Sequence, residues 1–130
     1  MSPTPRKPRP RKRPAGAPIS SELSVALAAA VDKKALDVVV LDLRKASAFT
    51  DFFMIFTGSN VRQVQAIADS IQAALGKTGA KPHIVEGVSR GEWVLLDYFD
   101  FIVHIFTPVT REFYGLEKLW GDAERIEIPA

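Results

Sequence analysis

Five large apolar side chains in a row, Phe52-Phe53-Met54-Ile55-Phe56, constrain this chain more than any other feature in it. The run reads as a strand that Gly58 ends just past Thr57. Successive strand residues point to opposite faces, so an unbroken apolar run belongs in the middle of a sheet covered on both sides.

The neighbouring segments supply the cover. Ser20 suits a helix N-cap with Glu22 in the first turn, and Leu23, Leu27, Ala30 and Val31 recur at helical spacing to about Lys34. Val38 to Leu41, between Asp37 and Asp42, reads as a buried strand. After Gly58, Ser59 can cap a helix whose stripe is Val61, Val64, Ile67 or Ala68, Ile71 and Leu75, ended by Gly76 and Gly79. Short strands follow at about 82–86, 92–97 and 101–106. Thr107 and Pro108 then open a last helix with Phe113, Leu116, Leu119 and Trp120 inward. The order αββαβββα predicts an α/β (α+β) fold, a mixed sheet of about five strands with helices packed on it.

Charge is unevenly placed. Residues 1–19 hold Arg6, Lys7, Arg9, Arg11, Lys12 and Arg13 and no acid, which leaves 11 of the 17 basic residues against 15 acids elsewhere, a formal −4. The segment reads as a disordered, Pro-rich basic arm ahead of a single domain over 20–130. It is either a solubilising extension or a weak phosphate contact to an RNA-rich partner. The acidic remainder is poorly suited to bind nucleic acid by itself. With no cysteine, disulfides, thiolate metal sites and a thiol nucleophile are excluded. No apolar run approaches the roughly 18 residues of a membrane span, and prolines from Pro3 to Pro18 interrupt any signal or transit peptide, so the expected location is cytoplasmic.

Function concentrates in the segment Glu92 to Phe106. A two-residue turn at Tyr98-Phe99 pairs Asp97 with Asp100, Leu95 with Ile102 and Trp93 with His104. One face then holds Val94, Leu96, Phe101, Val103 and Ile105, a core. The other mixes Trp93, Leu95, Ile102 and His104 with Asp97 and Asp100. Two readings of that second face stand side by side. It is an interface with an aromatic anchor and charges at its edge, or it is a second core covered by a helix. Tyr-Phe lacks the Gly or Asn such turns favour, and a turn longer by one residue moves one strand's side chains to the other face.

The same residues carry a family resemblance. Trp93-Val94-Leu95-Leu96-Asp97-Tyr98 with Asp100 and His104, then Arg111-x-Phe113-Tyr114-x-Leu116-Glu117-x-Leu119-Trp120, resembles the ribosomal silencing factor (Iojap-like) signature. Asp42, Asp51-Phe52-Phe53-x-Ile55, Thr57-Gly58, Ala66-Ile67-Ala68 and Glu86-Gly87 extend the match over about residues 22–121. The chain departs from the pattern at Phe99, where the family usually has Gly. The resemblance implies a translation repressor without catalytic activity or cofactor. It is expected to bind the large ribosomal subunit through ribosomal protein number fourteen and block joining of the small subunit. Asp97, Asp100 and Glu86 then supply charge complementarity to a basic partner. Trp93 and Leu95 supply apolar contact, with Tyr98, Ile102 and His104 completing the face. Arg111 and Tyr114 lie elsewhere on the last helix and border it.

An enzyme is the competing class. The family's sheet and helices are similar to those of nucleotidyltransferases, and Gly58-Ser59 before a helix resembles a phosphate-binding turn. Metal-assisted transfer needs closely spaced acids on the adjoining strand, where Glu86 stands alone, and the chain has no Asp-x-Asp. His83 and His104 are too isolated for a metal site, and Ser47, Ser59, Ser70 and Ser89 lie in no nucleophile motif. A homodimer built by pairing exposed strands is a third reading.

Overall fold

The computed structural model describes residues 21–46 and 49–126. The basic arm and the Ser20 cap lie outside them. Helix α1 (Ser21–Asp32) leads into strand β1 (Leu36–Asp42) and its neighbour β2 (Phe52–Thr57). Helix α2 (Val61–Lys77) follows, then β3 (Ile84–Glu86), β4 (Trp93–Asp97) and β5 (Phe101–Phe106). Two short helices, α3 (Pro108–Tyr114) and α4 (Leu116–Leu119), precede a last strand, β6 (Glu124–Ile126).

The six strands form one mixed sheet in the order β3-β4-β5-β2-β1-β6. Only β2 and β5 run parallel, with Phe52 opposite Phe101 and Ile55 opposite His104. The predicted order αββαβββα is therefore observed, with a sixth strand added. β6 escapes the sequence because Glu-Arg-Ile has no strand pattern; its pairing with Val40 to Asp42 of β1 makes it a strand.

β2 is central and buried at every position, as its apolar run requires. Phe52, Met54 and Phe56 face a core shared with α1 and α2, joined by Val94, Leu96, Phe101, Val103 and Ile105. Phe53 and Ile55 face a second cluster with Leu41, Leu43, Ile102 and Phe106, against which Leu116 and Trp120 pack. Burying each Phe contributes about 1.5–3 kcal/mol.

On α2, Val64, Ile67, Ala68, Ile71 and Leu75 are buried as predicted. On α1, Leu23 and Ala30 are buried together with Ala26 and Ala29, while Val31 is 57% exposed, contrary to expectation. The small residues permit close approach of α2, whose Ser70 hydroxyl donates to Ala29 O at 3.1 Å.

At the far end of β1, Asp42 and Arg44 form a buried ion pair, with Arg44 Nε to Asp42 Oδ1 at 2.9 Å and Nη2 to Oδ2 at 2.6 Å. The guanidinium lies 4.9 Å from the Phe52 ring centroid. Hydrogen bonding from Arg44 holds the Asp42 carboxyl below its usual range.

Candidate partner-binding face

The hairpin closes one step further along the chain than its sequence suggests. Tyr98 N–H donates to Phe101 O at 2.9 Å, so the turn residues are Phe99 and Asp100. Trp93 pairs with Phe106, Leu95 with His104 and Asp97 with Ile102. This corrects the expected pairs by two residues. Because the side-chain period is two, every strand residue keeps its predicted face. Asp97 and Asp100 do not oppose one another.

Local bonds set this turn. Asp97 Oδ1 accepts the Phe99 N–H at 2.8 Å, Thr50 Oγ1 donates to Phe99 O at 2.7 Å, and the Phe99 ring lies 4.5 Å from that of His83. Phe99 sits at φ 72°, at the first central position of a tight turn, where glycine is favoured. The departure from the family pattern thus falls on a strained residue. Replacing Phe99 by Gly removes strain of about 1–2 kcal/mol but loses the ring contact and adds about 0.5–1 kcal/mol of chain entropy. Stability within about 1 kcal/mol of the parent is expected for Phe99→Gly, against a loss of about 2 kcal/mol for Phe99→Val, which is β-branched. Urea denaturation of both variants measures the difference.

The second face of the hairpin is divided. Ile102 and His104 are both 4% exposed and belong to the second core, so their expected accessibility is corrected. Trp93 and Leu95 remain half-buried beside them. Glu86, exposed on edge strand β3, stands opposite Leu95 in the same cross-strand row that continues to His104. Asp97 is buried and spent on the turn, and Asp100 is half-buried. Tyr98 is placed differently from expectation: it is buried among the helix-side core residues, stacked on Phe101 at 5.1 Å, and burial pushes its hydroxyl pKa up to about 12. Its position in the closing pair with Phe101, rather than at the centre of the turn, puts it on the side opposite Asp97 and turns it inward.

Two residues of this face, Ile84 and Phe113, were not among the expected contacts, and Tyr114 was expected only at its border. Ile84, opposite Asp97, adds an exposed apolar side chain on β3. Tyr114 packs its ring 4.5 Å from that of Trp93, and Phe113 beside it is 78% exposed. The predicted inward stripe on one last helix fails here because Gly115, at φ 56° and ψ 44°, ends α3 and starts α4 on a new axis. Leu116 and Trp120 turn inward while Phe113 and Leu119 point out.

Arg111 holds these short helices to the sheet. Its Nε and Nη2 bond Glu117 at 2.9 and 3.1 Å, while Nη1 reaches Thr57 Oγ1 at 2.7 Å and Asp37 O. Hydrogen bonding from Arg111 lowers the Glu117 pKa. A cleft of about 470 Å³ beside α3 is lined by these same groups.

Beneath the open face, Trp93 Nε1 donates to His104 Nδ1 at 3.1 Å. Burial holds the His104 pKa down at about 3. The unfolded imidazole takes up a proton near pH 6.5 and the folded one does not. Stability is therefore complete above about pH 6.5 and falls as pH drops toward 3, by at most about 1.4 kcal/mol per unit from this residue. Urea midpoints at pH 7 and 5 are expected to show that fall, and His104→Leu to lessen it. Equal falls in both proteins place the acid sensitivity elsewhere.

The Gly58-Ser59 turn is explained by packing. A Cβ on Gly58 lies 2.8 Å from both Val64 Cγ2 and Val64 N, so close approach of α2 requires glycine. Gly58 N–H donates to Phe106 O, and Ser59 N–H to Gln63 Oε1. The N-cap is Asn60, not Ser59: its side chain accepts from Gln63 N–H at 2.9 Å. Among the described residues no three His, Asp or Glu converge as metal ligands, and no helix is long and apolar enough to cross a membrane.

Fold and face together define a small α+β domain that presents a half-open aromatic sheet face. Residues 17–130 match the family described as "Ribosomal silencing factor during starvation". A Bacillus subtilis (strain 168) protein named Ribosomal silencing factor RsfS is 43% identical over 108 residues, 83% of this chain and 92% of that protein. A Halalkalibacterium halodurans protein of the same name is 42% identical over 106 residues, covering 82% and 91%. A crystal structure from Chromobacterium violaceum matches with a TM-score of 0.76 at 34% identity, over 88% of this chain and 92% of that one. The chain belongs to the RsfS/Iojap family of ribosomal silencing factors, which are non-enzymatic, ribosome-associated regulators of translation.

Proposed function

We propose that this protein silences the ribosome by steric occlusion in the cytoplasm. It docks on the large subunit through ribosomal protein number fourteen and prevents the small subunit from joining. The half-open patch formed by Trp93 and Leu95 on β4, with Glu86 opposite Leu95 on β3, carries this reading. An aromatic residue seated on a rigid, well-packed floor beside a surface acid is the kind of anchor that concentrates binding energy, and Glu86 and Asp100 complement a basic partner. The basic arm adds phosphate contacts with ribosomal RNA, so deleting residues 1–19 lowers the salt dependence of binding. Light scattering of recombined subunits tests the function: joining is expected to fall as the protein is added. Undiminished joining at saturating protein rules out occlusion.

A further inference from the structure

We infer that His104 is the positioning residue of the docking face: its buried Nδ1 fixes the Trp93 indole in the orientation offered to the partner. The inference rests on the proposed role of that face. Indole has a single polar atom, Nε1–H, which can only donate. At a half-buried site it can point to water or to the protein, and here it points down to His104 Nδ1 at 3.1 Å. The two residues are diagonal neighbours on β4 and β5, since Trp93 pairs with Phe106 and Leu95 with His104. Phe106, its ring 5.1 Å from the indole, and Tyr114, 4.5 Å from it, confine the indole but make no distinction between its two edges. The hydrogen bond makes that distinction, because rotating the ring about its loosely defined χ2 carries Nε1 away from the acceptor.

The imidazole is otherwise a poor choice for this position. A ring that accepts at Nδ1 while neutral carries its proton on Nε2, and His104 Nε2 is buried with no hydrogen-bond partner among the described residues. Leucine would fill the space among Phe53, Ile55 and Ile102 without stranding a donor. What histidine adds is the acceptor beneath Trp93. Burial keeps the ring neutral through the physiological range, so the acceptor is always present.

Two variants separate positioning from packing. His104→Asn keeps an acceptor oxygen the same number of bonds from the backbone as Nδ1; His104→Leu keeps volume and removes the acceptor. Hydrogen exchange of the Trp93 indole N–H, followed by NMR in the free protein, and affinity for the large subunit are measured for both. The Leu variant is expected to exchange about tenfold faster and bind about tenfold more weakly, with Asn restoring most of both. Parental exchange and affinity in the Leu variant overturn the inference, as does an Asn variant no better than Leu. Nitrogen NMR of the unmodified protein needs no variant. A proton on Nε2 of His104 is expected, and one on Nδ1 overturns the assignment, because that atom could not accept. If the unmodified protein fails to bind large subunits, the docking role falls, and indole exchange alone decides whether His104 positions Trp93.

Discussion

Trp93→Ala is expected to weaken binding to the large ribosomal subunit at least thirtyfold, about 2 kcal/mol, while the domain stays folded. The indole is half-buried, flanked by Phe106 and Tyr114 and bonded to His104, so it enters an interface already ordered. A side chain that loses little freedom on binding returns more of its contact energy as affinity. Folding survives because the larger core, built from α1, α2 and the opposite sheet face, contains no atom of Trp93. Some stability is lost, since His104 Nδ1 is left without its donor. Affinity measured well below the unfolding temperature separates the two effects. Unchanged affinity in a folded variant removes Trp93 from the interface.

The second large effect is expected at a residue that touches no partner. Gly87 has φ 85°, and a Cβ there meets Trp93 O at 2.0 Å. That oxygen belongs to the backbone of β4, which the sheet holds on both sides, so neither group can yield cheaply. Gly87→Ala is expected to lose on the order of 2–3 kcal/mol in urea denaturation and to disturb the face through Trp93. Gly76→Ala is the control: a Cβ there meets nothing within 4 Å, and the site is helical. It is expected to gain about 0.5–1 kcal/mol. Equal stability of the two variants refutes the steric account. The Glu86-Gly87 pair noted in the sequence thus acquires two separate meanings, a surface charge and a backbone contact.

Much of this was legible in advance because it depends on local periodicity. The apolar run at Phe52–Phe56 had to be a central strand, and the stripe on α2 had to face it. The hairpin faces were legible too, although the turn was misplaced. Predicted and observed registers differ by two residues, and a period of two forgives that error. The pairing itself was not legible. It depends on the Asp97 carboxylate, on Thr50 from a distant loop, and on Phe99 accepting a positive φ.

The second hairpin face is part covered core and part accessible surface, and only tertiary structure could divide it. Ile102 and His104 are buried because Phe53 and Ile55 lie alongside on β2 and Trp120, the C-cap of α4, comes over them, 5.8 Å from the Phe53 ring. Trp93 and Leu95 stay half-open because only the three-residue strand β3 lies beyond β4. No pattern within residues 92–106 encodes how far Gly115 turns the chain, or that β6 returns to β1.

The sequence alone therefore determined the element order from α1 to β5, the faces of the residues within β4 and β5, and the family, since these follow from side-chain period and co-linear motifs. Tertiary structure alone decided which of those residues a partner can reach. Exposure is a property of what other segments cover, and those segments are brought there by contacts distant in sequence.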